Sequence, residues 1–175
     1  MRVRAAVRRL NSTGLITIGL IGTSLFGCQK AQEKVMEEAA ERAIENEAGG
    51  DAKVELNGGA VKIEANGAQV QMDAQNGVKL PENLPKDLFI PADAKITVSN
   101  TTSEGAMIIF EQAMGLDKAS SMMREGMQKN GWTQSADLNM NGTRTITYTK
   151  GEQEAALMMT GDGSATTTNM SVSFK

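Results

Sequence analysis

The sequence is poor in several residue types that usually build catalytic and metal sites. Its 175 residues include no histidine, one cysteine, three prolines and six aromatic side chains. Without histidine, neither a Ser-His-Asp triad nor a zinc site with imidazole ligands can form. A single cysteine cannot form an intramolecular disulfide or a multi-cysteine cluster. The length fits one ordinary domain, or a small domain with an appendage.

The charge is divided unevenly along the chain. Residues 1–27 contain four arginines and no acidic residue, a charge of +4, whereas the remaining 14 basic and 21 acidic residues give −7. An acidic body argues against nucleic acid, because non-specific affinity comes from cations that neutralise phosphates. It also argues against electrostatic docking onto anionic lipid. We therefore expect no nucleic-acid partner, and the basic leader needs its own explanation.

The leader has the layout of a secretory signal. A basic stretch from Arg2 to Arg9 precedes an apolar stretch over residues 14–26, which is shorter than the ~20 residues of a membrane-spanning helix. It ends in Leu25-Phe26-Gly27-Cys28, which resembles the lipobox of bacterial lipoproteins. The resemblance implies signal cleavage between Gly27 and Cys28, a diacylglyceryl group on Cys28 and acylation of the new N-terminus. The alternative is an ordinary signal peptide that happens to end before a cysteine.

Lipid attachment would make the membrane the first expected partner of the chain. A single acyl chain binds marginally, at ~0.8 kcal/mol per buried CH₂, so three chains on Cys28 would anchor firmly. In the sorting rule of the family, Asp after the lipidated cysteine retains the protein at the inner membrane. Gln29 occupies this position and implies the outer membrane, facing the periplasm, if the source has one.

Residues 28–50 are expected to be the lipidated N-terminus followed by a helix. Residues 30–48 lack Pro and Gly, and pairs such as Glu38 with Arg42 support a helix that ends at Gly49-Gly50. The charge-rich faces favour a solvated spacer that lifts the rest of the chain off the membrane. A helix that binds a partner is the alternative.

Residues 51–80 predict a small antiparallel β-meander. Asn-Gly recurs at Asn57-Gly58, Asn66-Gly67 and Asn76-Gly77, and such pairs between alternating runs are a strong hairpin signal. The apolar members of the alternation are Val54, Leu56, Val61, Ile63, Ala65, Val70, Met72, Ala74, Val78 and Leu80. One coil of a β-solenoid is the alternative. The apolar face must either be covered, for which the 30–48 helix is the nearest candidate, or serve as a docking site.

The remainder predicts a linker and an α+β domain. Residues 81–93 contain all three prolines and are expected to connect the meander to residues 94–175. Strands are predicted at 94–100, 105–114, 132–139, 143–150, 155–160 and 167–174. A helix capped by Asp117 should run to about Lys129 with the apolar stripe Leu116, Ala119, Met122, Met123 and Met127. The predicted fold class is therefore α+β: an N-terminal helix and a small meander, then a ββαββββ domain with one helix on an antiparallel sheet.

This order, together with the junction from helix through Gly131-Trp132 to strand, is similar to small helix-on-sheet domains of envelope lipoproteins. One such domain belongs to a subunit of the outer-membrane assembly machine. The similarity is one of fold, and a fold does not carry function.

The methionines are the one compositional excess that could carry chemistry. Nine of the twelve fall in residues 107–170: Met107, Met114, Met122, Met123, Met127, Met140, Met158, Met159 and Met170. Thioethers could bind Cu(I) or line an adaptable apolar pocket. Because these methionines follow the apolar phase of the predicted helix and strands, we favour simple core packing.

No catalytic constellation is found in the sequence, and we expect neither an enzyme nor a cofactor or metal site. The segment Gly161-Asp162-Gly163-Ser164 lacks the later acidic ligands of a calcium loop and predicts a hairpin turn. The expected function is that of a membrane-anchored envelope lipoprotein acting as a non-catalytic binding or structural module. The alternative is binding of a small ligand, lipid or copper by a Met-rich pocket in residues 94–175.

Overall fold

The computed structural model describes residues 39–43 and 52–174. Residues 39–43 are helical. From Ala52 onward the chain forms nine strands and one further helix. In chain order these are β1 Ala52–Asn57, β2 Ala60–Ala65, β3 Ala68–Met72, β4 Lys95–Thr101, β5 Gly105–Gln112, α1 Leu116–Lys129, β6 Thr133–Met140, β7 Thr143–Lys150, β8 Gln153–Gly161 and β9 Thr166–Ser173.

All nine strands belong to one sheet in which every neighbouring pair is antiparallel. The spatial order is β1-β2-β3-β4-β5-β9-β8-β7-β6, so β1 and β6 form the two edges. The step from β5 to β9 joins strands that are not consecutive in the chain, because α1 and β6–β8 are inserted between them. The last strand therefore pairs in the middle of the sheet.

The predicted fold class is wrong: the molecule has a mainly-β fold rather than an α+β domain of ββαββββ layout. Strand β3 pairs directly with β4, with Met72 opposite Val98, and so joins the first three strands to the other six in one sheet. Alternation identifies strands in a sequence but does not tell which strands pair. This pairing spans the stretch with all three prolines, which is why the sequence suggested two separate parts. The residue ranges predicted for domains stay predictions.

Two of the three Asn-Gly pairs of the first strands lie at hairpin turns. The β2–β3 turn is Asn66-Gly67, with φ of 50° and 77°, and the β1–β2 turn is shifted by one residue to Gly58-Gly59. At the third pair the prediction of a further strand at Val78–Leu80 is wrong. There the Asp73 carboxylate accepts hydrogen bonds from the backbone N–H groups of residues 75 and 76, which holds the chain in a turn. After the turn Val78 donates one backbone hydrogen bond to Ile96 of β4, and residues 78–80 form no strand.

One side of the sheet carries the main core, and we call it the core face; the opposite side is the open face. Directly paired residues of antiparallel strands project to the same side. Fully buried side chains on the core face include Ile108, Phe110, Ile146, Leu157 and Met170. Helix α1 packs onto them with Ala119, Met123 and Met127, all fully buried.

The start of α1 differs in detail from the prediction. Gly115 occupies the N-cap position and makes no side-chain cap hydrogen bond, while Asp117 lies in the first turn. Its carboxylate there faces the positive end of the helix dipole, which is favourable even without a capping bond. The helix itself is confirmed at Leu116–Lys129.

The segment between β3 and β4 is packed against the end of α1. Leu88 is buried, and Trp132 Nε1 donates a hydrogen bond to the carbonyl of Asp87 at 3.1 Å. Lys150 pairs with the Asp87 carboxylate and also donates to the carbonyl of Asn130 at 2.7 Å. These contacts fix the segment to the junction of α1 with β6.

Within residues 39–43 and 52–174, no helix has the length and apolar character needed to span a membrane.

Candidate binding face

The residues predicted for signal cleavage and lipidation, Gly27 and Cys28, lie outside the described residues, as does Gln29. Of the predicted spacer helix, residues 39–43 are described and are helical. The described residues therefore follow the predicted anchor in the chain, and most of them belong to the nine-stranded sheet or to α1.

The open face contains a row of apolar side chains that crosses every strand in register. Each member lies directly opposite the next on the neighbouring strand. Seven of the nine members are apolar, and we call the set the apolar row: Leu56, Val61, Met72, Val98, Ile109, Asn169, Met158, Thr145 and Leu138. It is about 38 Å long, since neighbouring strands lie about 4.8 Å apart.

The two ends of the apolar row differ in exposure. At the β6 end, Leu138 is 57% and Met158 49% exposed, and Met140 at the end of β6 is 58% exposed on the same face. At the β1 end, Val54 and Ile63 beside the row are buried, with 4% and 7% of their surface exposed. Large exposed apolar side chains gathered on one surface are typical of an interaction site.

The buried end of the row lies beside the helical residues 39–43. The Glu41 carboxylate accepts a hydrogen bond from the backbone N–H of Val54 at 3.0 Å. This contact occupies a donor on the outer edge of β1, which would otherwise be available to another strand. It places residues 39–43 next to the meander. This is the position expected if the predicted 30–48 helix covers the apolar face of the meander.

The core face of the sheet is charged at the β1 end and apolar towards the other end. In β1 and β2 the core-face positions are taken by charged residues, which form the ion pairs Lys53–Glu55 and Lys62–Glu64, each at 2.8 Å. In β5, β7, β8 and β9 most core-face positions are apolar and lie under or beside α1, with Thr168 and Arg144 among the polar exceptions. Because the first strands place their apolar residues on the open face, that face gains an apolar row in addition to the core on the other side.

A groove of about 420 Å³ adjoins the row at the end of the sheet formed by β4, β5, β8 and β9. Met107 lies beside Ser171 and Ala156 there, and the small size of the latter two leaves the space open. Glu104 and Glu154 stand at its rim. The groove is wide and open, so it suits a side chain of a bound protein better than an enclosed small ligand.

On the core face, an ionic network holds β6 to α1. Arg144 donates to both oxygens of Asp137, at 2.9 and 2.7 Å, and to Ser120 Oγ at 3.1 Å. Arg124 on α1 adds a hydrogen bond to Asp137 at 3.0 Å. These bonds, led by that from Arg144, lower the pKa of the Asp137 carboxyl below its ordinary value. The carboxylate of the edge strand is thereby turned towards the core face.

Four of the nine methionines proposed as alternative ligands are part of the core. Met123, Met127, Met159 and Met170 are fully buried and belong to the same apolar cluster as Phe110 and Trp132. Met107 lines the groove, and Met140 and Met158 are exposed on the open face. The Met-rich ligand pocket stays a prediction, and the positions of the four core methionines favour packing.

Other candidate chemical groups are occupied or neutral. The Asp162 carboxylate accepts bonds from the N–H groups of Ser164 and Ala165, as in a hairpin turn. Burial raises the pKa of the Tyr148 hydroxyl, so it remains protonated at neutral pH. Among the described residues, no group of three or more Asp, Glu, His or Cys side chains is placed to hold a metal ion.

The apolar row is the feature that sequence reasoning missed. Its β1–β3 part follows from the alternation of apolar and polar residues in the sequence, which predicts one apolar face for these strands. Its continuation through Val98, Ile109 and Met158 requires the β3–β4 and β5–β9 pairings, which bring together residues distant in the chain. The bulge between Ile96 and Val98 also shifts the phase of β4 by one residue. No local pattern reveals that shift.

Comparison of the chain with protein-family models, with curated proteins and with solved structures finds no match.

Proposed function

We propose that this chain is a lipid-anchored lipoprotein of the bacterial envelope that binds another envelope protein through the open face of its sheet. The anchor is the lipidated Cys28, at the outer membrane and facing the periplasm. The module is non-catalytic and requires no cofactor. The two parts of the proposal have different support and are tested separately.

The observation that carries the binding part is the exposed end of the apolar row. Leu138 and Met158 lie on one face, flank Thr145 and are about half exposed. Burying such side chains contributes ~25 cal/mol per Å² of apolar surface removed from water. Interfaces are enriched in methionine, and their buried centres are depleted of charge. No member of the apolar row carries a charge, so this sheet surface fits a protein partner.

The support for the anchor is the match of Leu25-Phe26-Gly27-Cys28 to a lipobox behind a basic and apolar leader. We expect Cys28→Ser to accumulate as unprocessed precursor without palmitate label. Gel mobility measures processing, and labelling with radioactive palmitate measures lipidation. Ser24→Ala is the matched leader variant, which should be both processed and labelled. Normal maturation and labelling of Cys28→Ser would contradict the anchor.

The binding face is tested by site-specific photocrosslinking in cells. A photoreactive amino acid at Met158, on the open face, should trap one defined envelope protein. The same amino acid at Glu125, exposed on α1, is the control and should not. Equal crosslinking from both positions, or none from Met158, would reject the open face as the binding surface while leaving the anchor unaffected.

A further inference from the structure

Strand β6 differs from the other strands of the sheet in that one of its two edges has no partner among the described residues. Strand β6 pairs only with β7, and residues 135–140 are all exposed. Among residues 39–43 and 52–174, none forms a backbone hydrogen bond to this edge. The opposite edge, β1, is contacted by Glu41. An unpaired edge presents N–H and C=O groups that fit one kind of ligand, an extended strand.

The geometry of the β6–β7 hairpin determines which backbone groups point outward. The two-residue turn Asn141-Gly142 has φ of 50° and 77°, and the residues flanking such a turn form a hydrogen-bonded pair. Bonding then alternates, so Leu138 is bonded to Thr145. The N–H and C=O groups of Asp137 and Asn139 therefore point away from the sheet. The same rule puts the Val54 N–H on the outer edge of β1, where it meets Glu41.

We propose that β6 pairs in antiparallel register with β6 of a second copy of this chain, about a two-fold axis at Leu138. In this register Asp137 of one copy and Asn139 of the other form a hydrogen-bonded pair on each side of the axis. Each pair exchanges two N–H···O=C bonds. The proposal concerns self-association and does not rest on the lipid anchor or on the envelope partner.

The side chains of β6 are compatible with this register on both faces. On the open face, Leu138 meets its own copy and Ala136 meets Met140 of the second copy, so the contact is entirely apolar. On the core face, Asp137 lies opposite Asn139 rather than another carboxylate, and Arg144 and Arg124 hold its charge. The strand contains no lysine and no proline, two residues that commonly protect edges. The bulge between Gln134 and Ala136 limits the paired run to residues 136–140.

Leu138→Cys in the full chain tests the register directly. Across a pair that is not hydrogen-bonded, the Cα atoms lie about 4.5 Å apart, within the range that a disulfide bridges. We expect mild oxidation to give a dimer in which peptide mapping finds the introduced cysteines of the two copies linked to each other. Met158→Cys is the matched control, since it has similar exposure on the same face but lies two strands from the edge, and it should not give such a dimer.

A second variant tests association without a crosslink. Leu138→Lys places two like charges opposite each other and should raise the dissociation constant of the dimer about tenfold or more, whereas Met158→Lys should not. Sedimentation of the full chain in detergent measures this, and fluorescence of Trp132, the single tryptophan, reports that each variant is folded.

Three results would overturn the proposal. The first is a wild-type chain that is monomeric at all concentrations, and the second is an equal effect of the two lysine substitutions. The third is a Leu138→Cys variant that crosslinks only to another protein, which would indicate that a partner's strand pairs with this edge.

Discussion

Asp137 shows how one residue can serve two surfaces at once. Its backbone lies on the exposed edge, while its carboxylate is drawn to the core face by Arg144 and Arg124. An exposed carboxylate at the centre of the edge would repel a second copy. Here the charge is satisfied internally, so the edge remains neutral in character and the helix is tied to the strand.

Arg144→Gln should therefore lower the free energy of unfolding by about 1–2 kcal/mol, because it removes a two-bond contact to a partly buried carboxylate. Chemical denaturation followed by Trp132 fluorescence measures the loss. Asp137→Asn should give a similar loss, and the double variant should be less destabilised than the sum of both. Additive effects would show that the two side chains do not stabilise each other.

The pairing of Arg144 with Asp137 also predicts the direction in which the free energy of unfolding changes with pH. Because the pKa of Asp137 is lowered in the folded chain, its contribution to stability is present above the ordinary pKa of about 3.9. It is lost as the pH falls through the folded-state pKa. The wild-type chain should thus lose more stability below about pH 4 than Asp137→Asn does. Parallel stability curves of the two proteins in this range would contradict the assignment.

At the scale of elements, the contact between α1 and the segment before β4 depends on a glycine. Gly126 is buried inside the helix, and a Cβ at this position would overlap the ring of Phe89. Glycine lowers helix stability by about 1 kcal/mol relative to alanine. The position therefore gives up helix propensity for close packing of Phe89.

Gly126→Ala is expected to destabilise the chain by about 1–3 kcal/mol, since the methyl group overpacks the contact. In a Phe89→Ala background the same change should instead stabilise by up to about 1 kcal/mol, because only the propensity difference remains. Thermal or chemical unfolding of the four proteins measures both values. Stabilisation by Gly126→Ala in the wild-type background would show that the ring moves away easily.

The elements also show what could be predicted from the sequence. Helix α1 and the alternation of β1–β3 follow from local periodicity, and the Asn66-Gly67 and Asn141-Gly142 turns follow from local φ preferences. The pairing of β3 with β4, and hence the mainly-β fold, depends on contacts between distant residues that no local pattern encodes. The prediction of a strand at residues 78–80 is wrong because the Asp73 carboxylate holds the preceding residues in a turn, after which Val78 donates one backbone hydrogen bond to β4.

The whole molecule is a sheet with an uneven distribution of core. Helix α1 and most fully buried side chains lie on β5, β7, β8 and β9, whereas Val54 and Ile63 are the buried apolar residues of β1–β3. Since local stability follows buried apolar contacts, the two ends should open with different free energies.

Ile108→Ala should lower global stability by about 2–5 kcal/mol, because it leaves a cavity in the main core. Ile63→Ala should instead reduce amide protection mainly in β1–β3, with little change in β5 and β9. Native-state hydrogen exchange read by mass spectrometry measures both patterns. Loss of protection throughout the sheet in Ile63→Ala would show that the nine strands unfold as one unit.

The hydrogen bond from Val54 to Glu41 determines how far assembly can proceed. A sheet with two free edges can polymerise, since every added copy exposes a new end for the next one. In this chain a carboxylate already occupies a donor of the β1 edge, and pairing through β6 consumes the other edge. A pair formed as proposed through β6 would present only its two β1 edges, where Glu41 obstructs the next copy, so we expect growth to stop at two copies. In such an assembly Glu41 would act as a chain terminator that separates a finite pair from a fibre.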